Sequence, residues 1–229
     1  MIKQVLLESL NIGDIFKQTG SEILFLLDID NCILVAEQPS GRDEWWQHQV
    51  DLLLAKGWPV AKAETAASEL FNRAQLTASN VLVDQQQNLP ALIASALNQG
   101  HTVYGITARN YKIAQLTHRQ LQQFDILFSS NKHNFTHTIE QKEVLLQDGI
   151  LFCNDINKAT CLQTFETALA KPLKDYQKLV FVDDKWQNCQ RLHQFCQQQQ
   201  LNSAIYHYRY VEHYRPFTDE MRSEAAEFA

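Results

Sequence analysis

The sequence has no basic excess, no long apolar run, no CxxC pair and no internal repeat. Its 20 Lys and Arg stand against 26 Asp and Glu, for a formal net charge of −6. That balance gives no electrostatic footprint for a nucleic-acid backbone, while leaving room for a phosphorylated small molecule or peptide. No stretch approaches the ~20 consecutive apolar residues of a membrane span. The opening segment, "MIKQVLLESLNIGD", interrupts its apolar residues with Glu8 and Asn11. It makes a poor signal peptide and predicts a short amphipathic helix. The five cysteines (Cys32, Cys153, Cys161, Cys189, Cys196) lack metal-ligand spacing. Cys189 and Cys196 are seven apart, on one helical face, a core-packing pattern. Reduced thiols and a cytoplasmic location are expected, with export by a route needing no N-terminal signal left open.

What is present is an ordinary globular composition, 45% hydrophobic and 20% charged, in 229 residues. That length allows one substantial core plus an insertion. Short apolar runs bounded by polar residues occur at Ile23–Ile29, Thr102–Thr107, Gly149–Cys153 and Lys178–Asp183, with a weaker one at Ser203–Arg209. Continuous runs of this kind predict strands covered on both faces, hence a parallel sheet. Between them lie helical patterns such as "NYKIAQLTHRQLQQF", "KATCLQTFETALA" and "KWQNCQRLHQFCQQQQ". The alternation predicts an α/β fold, a doubly wound, Rossmann-like parallel sheet with helices on both faces. Ligands on such sheets gather at the carboxyl ends of the strands.

The spacing of the strands is uneven, since about 70 residues separate the first from the second, more than one crossover helix needs. This stretch, from Arg42 to Gln99, carries three helical patterns. Pro59 and Pro90 stand where helices would start, and Gly57 and Gly100 where they would end. The expected organisation is a core of residues 1–30 and 100–229, with 31–99 as a flap and small helical cap inserted after the first strand. Trp45 and Trp46 suit burial against the core better than the wall of a substrate pocket. Residues 124–148 read as short extended segments and a hairpin. His133 and His137 there are four apart but lack the partners of a zinc set, and read as surface loop.

The chemistry concentrates at strand ends. In "LFLLDIDNCI", Asp28 and Asp30 are two apart in an extended chain and so share one side. About one such triplet is expected by chance in a chain of this composition, but this one ends the most apolar strand. A second strand, "LVFVDDK", ends on Asp183 and Asp184. Helix capping accounts for one acid, not four, and unpaired acids near a core cost stability. Clustered oxygen ligands favour a hard divalent ion, Mg²⁺ first, which would hold the carboxylates ionised beside an anionic substrate such as phosphate. "TVYGITARN" ends on Thr107, whose hydroxyl suits a phosphate oxygen and equally a helix cap. "NDINKATC" places Lys158 at a helix start, where a cation opposes the helix dipole and calls for an anionic partner.

The order hhhhDxD, hhhhT, Lys, hhhhDD, spanning Ile23 to Asp184, resembles the haloacid-dehalogenase-like (HAD) superfamily of phosphohydrolases. It is closest to a branch of largely uncharacterised bacterial HAD-like proteins. Cys32 stands where that pattern usually has Thr or Val, and Ala159 where Gly often follows the Lys. The resemblance implies a Mg²⁺-dependent phosphatase acting on a phosphomonoester. In it Asp28 would be the nucleophile that forms an aspartyl-phosphate, and Asp30 the general acid and base. Thr107 and Lys158 would stabilise the phosphoryl oxygens. Mg²⁺ would be held by Asp28, the backbone carbonyl of Asp30 and the Asp183–Asp184 pair. Arg109 has two equal readings, at the substrate or on the surface. The implied partner is a small phosphorylated substrate or a phosphopeptide, with no nucleic acid and no membrane. Substrate identity and oligomeric state are not legible. Rival readings are a catalytically silent HAD-fold binding or signalling protein and a metal-dependent nuclease, the latter disfavoured by the acidic balance.

Overall fold

Five uninterrupted apolar residues, Ile23 to Leu27, are all buried, and they form the strand beside which the rest of the sheet is laid. The computed structural model describes residues 3–226. In chain order its strands are β1 (Gln4–Ser9), β2 (Ile23–Leu27), β3 (Leu34–Ala36), β4 (Asn80–Leu82), β5 (Thr102–Thr107), β6 (Phe135–Ile139), β7 (Lys142–Gln147), β8 (Ile150–Phe152), β9 (Lys178–Asp183) and β10 (Ser203–Tyr208). The helices are α1 (Ile12–Phe16), α2 (Asp43–Ala55), α3 (Val60–Thr77), α4 (Leu89–Asn98), α5 (Ala114–Gln122), α6 (Lys158–Phe165), α7 (Trp186–Gln198), α8 (Tyr210–Tyr214) and α9 (Asp219–Ala226).

Eight strands form one sheet in the order β1-β10-β9-β2-β5-β8-β7-β6. From β1 to β8 every pairing is parallel, and β7 and β6 add an antiparallel edge. The chain winds outward from β2 in both directions, first through β5 and β8, then through β9 and β10. This is the expected doubly wound α/β sheet, and its order reverses between β2 and β9. The β6–β7 hairpin closes through Glu140 and Gln141, both at positive φ (49° and 65°), the geometry of a two-residue primed turn. All five cysteines are free and buried, and Cys189 and Cys196 pack from α7 into the main core with Leu192, Phe165 and Phe181.

The amino-terminal segment corrects the expectation of a helix. Met1 and Ile2 lie outside the described residues, but Gln4–Ser9 is a strand pairing in parallel with β10, from Gln4 opposite Ser203 to Ser9 opposite Tyr208. An edge strand covered on one side presents a broken apolar pattern: Leu6 packs against the core while Leu7 is exposed. The partner that settles its conformation lies about 200 residues away, beyond the reach of local periodicity.

By contact density the chain divides into two compact units, Met1–Ile33 with Leu82–Tyr210, and Leu34–Val81 with Val211–Ala229. The sheet of eight and α4 to α7 belong to the first, so the helical stretch between β2 and β5 is shared between units. In the second, α2 and α3 pack on Val50, Ala63 and Ala67, with Trp46 and Leu53 against them. Trp46 Nε1 donates to Ser68 Oγ at 3.1 Å, and Trp45 is buried. Among the described residues, no helix is long and apolar enough to cross a membrane.

Two glycines test the backbone. Gly100 closes α4 at φ +81°, with His101 N–H bonded to the Ala96 carbonyl and Gly100 N–H to that of Leu97. An added Cβ there would meet nothing within 4 Å. At Gly149 (φ +79°), a Cβ would lie 2.4 Å from the Ser129 carbonyl oxygen. Gly100→Ala should therefore cost only the backbone penalty, about 1–2 kcal/mol. Gly149→Ala should cost clearly more, because the backbone around Ser129 must also shift. Urea unfolding midpoints read both, and equal losses would contradict the close approach.

Candidate active site

β9 and β2 run side by side, with Leu27 opposite Val182 as their last paired residues. Asp28 and Asp183 each follow that pair, so register alone sets two carboxylates level at the carboxyl end of the sheet. The Asp28 N–H donates to the Val182 carbonyl at 2.9 Å, holding the two chains together one step further. This is also the point where the strand order reverses.

Lys158 opens α6, whose N-cap Asn157 accepts from the Ala159 N–H. Lys158 Nζ lies 2.7 Å from Asp28 Oδ1 and 2.6 Å from Asp183 Oδ2. Asp28, Lys158 and Asp183 are buried, at 6%, 3% and 0% exposure, so this is an interior ion cluster. Burial alone would drive the ammonium to lose its proton, but the charges of Asp183 and Asp28 outweigh it and hold its pKa well above the ordinary lysine value. Burial likewise pushes the Asp28 carboxyl well above the usual carboxylate range. Lys158 opposes that rise, and Asp183 and Asp184 add to it.

The neighbouring acids differ in how they are held. Asp183 accepts from Lys158, from the Lys185 backbone N–H at 2.8 Å, and from Asn188 Nδ2 at 3.1 Å to each oxygen. Both of its oxygens are spent on the protein. Asp184 accepts from Asn31 Nδ2 at 3.1 Å and pairs with Lys185 Nζ at 3.3 Å. Asn31 reaches it from a left-handed backbone (φ 61°), a conformation Asn tolerates. Asp28 Oδ1 takes both Lys158 and the Ile29 N–H at 2.8 Å, whereas Oδ2 takes no hydrogen bond among the described residues.

Asp28, Cys32 and Asp184 present one donor atom each within 4.8 Å of one another, the single such group among the described residues. Burial, reinforced by the Asp28 charge, pushes the Cys32 thiol well up, which leaves the two carboxyl groups as the hard oxygen donors of the set. That set fits a hard divalent cation better than a thiophilic one.

Thr107 ends β5 fully buried, its Oγ1 accepting the Arg109 N–H at 3.1 Å. The turn that follows is capped by Asn110, whose Oδ1 accepts from Lys112 N–H at 2.9 Å. Arg109 is not on the surface: it is buried, and its guanidinium grips both oxygens of Asp30. No hydrogen bond among the described residues joins Asp30 or Thr107 to the Asp28–Lys158–Asp183 cluster. Sequence reasoning passed over Asn31 and Asn188. The first follows the DxD triplet directly, and the second stands one helical turn past Asp183, where a short amide side chain can reach back to the strand end.

A profile of the family described as "Protein of unknown function (DUF2608)" matches residues 9–229. No curated protein matches the chain by sequence. Among solved structures, the class C acid phosphatase from Bacillus anthracis with tungstate bound is similar over 94% of this chain and 82% of that one. The identity is 11% and the TM-score 0.37.

The raised pKa of Asp28 has a measurable consequence. A carboxyl whose folded pKa lies above its unfolded value of about 3.9 contributes stability below that pH and loses it as pH rises through the folded pKa. In EDTA, Asp28→Asn should therefore raise the melting temperature at pH 7 and change it little near pH 4. Asp183→Asn, which strips a buried ammonium of a charge partner, should instead cost about 3–5 kcal/mol at neutral pH. An Asp28→Asn protein no more stable than wild type at pH 7 would show that Lys158 already compensates both acids.

Proposed function

We propose that this chain, which belongs to the DUF2608 family, is a Mg²⁺-dependent phosphatase that hydrolyses a small phosphomonoester through an aspartyl-phosphate. The observation that supports this most is the state of Asp28. One carboxylate oxygen is anchored by Lys158 and a backbone N–H, and the other, Oδ2, has no partner among the described residues. An anchored carboxylate with one unengaged oxygen is prepared for nucleophilic attack. The order of motifs that resembles HAD-like phosphohydrolases assigns the same residue the same part.

The donor set supports assigning the metal to Asp28, Asp184 and the backbone carbonyl of Asp30, with Asp183 kept for Lys158 and Asn188. When bound, Mg²⁺ would hold these carboxylates ionised and neutralise charge on the phosphate oxygens. In this reading Asp28 Oδ2 attacks phosphorus as the bond to the leaving oxygen breaks, and Asp30 gives that oxygen a proton. Asp30 then takes a proton from water as the water attacks phosphorus. The Asp28–phosphorus bond breaks, returning the Asp28 carboxylate and inorganic phosphate. Lys158 and the Thr107 hydroxyl stabilise charge on the phosphoryl group.

The test is hydrolysis of 4-nitrophenyl phosphate. Turnover should require Mg²⁺ and stop in excess EDTA. Asp28→Asn, nearly isosteric but unable to attack, should retain less than about a tenth of the wild-type rate with the fold intact by circular dichroism. Undiminished turnover in EDTA would remove the metal from the mechanism. Substantial turnover by Asp28→Asn would remove the nucleophile.

A further inference from the structure

Arg109 meets Asp30 through a planar fork, Nε to Oδ2 at 2.8 Å and Nη2 to Oδ1 at 2.7 Å. The fork is itself fixed from behind. Nη1 donates to Gln120 Oε1 at 2.6 Å and to Thr117 Oγ1 at 2.9 Å, both on α5. The Thr117 hydroxyl spends its hydrogen on the Ile113 carbonyl at 3.1 Å, so a lone pair faces the guanidinium. The Arg109 side chain is 4% exposed and that of Asp30 26%, which leaves the carboxylate one open edge. Ion pairs between flexible exposed side chains contribute little. This one is two-bonded, planar and buried on the cation's side, so it fixes direction as well as charge.

We infer that Arg109 is a positioning residue for Asp30, the proton donor and acceptor of the proposed reaction. The inference rests on the phosphatase reading above. Each Asp30 oxygen gives one lone pair to Arg109 and keeps another, on which the proton passed to the leaving oxygen, and later regained from water, is carried. The grip stops the carboxyl from rotating, and a misplacement of ~1 Å is enough to cost about 10²-fold in rate. Arg109 acts through Asp30, whose two oxygens its fork holds. Its loss should therefore be largest where proton donation matters.

Two esters of similar shape separate that role from a structural one. The 4-nitrophenolate leaving group departs with little help, whereas phenolate needs a proton. With Mg²⁺ present, Arg109→Ala should lower kcat on phenyl phosphate about 10²-fold and on 4-nitrophenyl phosphate about tenfold or less, with KM little changed. Asp30→Asn should show the same selective loss, and adding Arg109→Ala to it should cost little more. Arg109→Lys should restore part of the rate on phenyl phosphate. Should Arg109→Ala fail to fold, Gln120→Leu loosens the fork without removing it, and the same split should appear at smaller size. Equal losses on the two esters, or a raised KM at unchanged kcat, would overturn the positioning role alone. A wild-type protein that turns over neither ester would overturn the phosphatase reading and this inference with it.

Discussion

The ammonium of Lys158 lies between two carboxylates that arrive from adjacent strands, and the geometry of the site follows from that contact. A parallel pair in register brings Asp28 and Asp183 level whether or not their charges are compatible. Neither can retreat to solvent, because both are buried. A charge left unpaired there would cost several kcal/mol, so a cation at that point is close to obligatory. The chain supplies it from the first residue of α6, where a positive charge is otherwise disfavoured by the helix dipole. The two unfavourable placements compensate each other, and α6 is thereby tied to β2 and β9.

Adjacent acids in the sequence then divide into different tasks according to what surrounds them. Asp183, closed in by Lys158, Asn188 and a backbone N–H, has little capacity left for a ligand. Asp184 turns toward Asn31, Asp28 and Cys32. Asp28 and Asp30, two apart in the sequence, are separated in the same way, one pinned by Lys158 and the other gripped by Arg109. Hydrogen-bond partners rather than sequence position set the role of each carboxylate.

What could be read in advance was whatever a continuous apolar run announces. The runs at Thr102–Thr107 and Lys178–Asp183 became β5 and β9 with the same bounds, because strands buried on both faces have no polar side to confuse the pattern. Pro59 and Pro90 marked the starts of α3 and α4, and Gly57 and Gly100 the ends of α2 and α4, for the same local reason. β1 was not legible, since an edge strand owes its shape to β10 rather than to its own residues. Arg109 was not legible either. Its environment is built by Asp30, 79 residues earlier, and by Thr117 and Gln120 on the next helix, and no short-range spacing encodes that meeting.

The crowded carboxylates of the DxD triplet are then a matter of charge balance. Four acids, Asp28, Asp30, Asp183 and Asp184, gather at the ends of β2 and β9. The protein answers with two buried cations, Lys158 between Asp28 and Asp183, and Arg109 on Asp30. Lys185 is half exposed, so its charge beside Asp184 is largely screened by water. Two negative charges remain by this count, and the acids whose oxygens lie together are Asp28 and Asp184. That residue is the charge of one divalent ion. Burial first, and then the charges of Asp183 and Asp184, raise the pKa of Asp28 against the opposing pull of Lys158, so its ionised form stays costly. A site compensated by side chains alone would need two further buried cations here. The third donor beside Asp28 and Asp184 is the neutral thiol of Cys32, so the pair keeps the charge that the proposed divalent ion would balance.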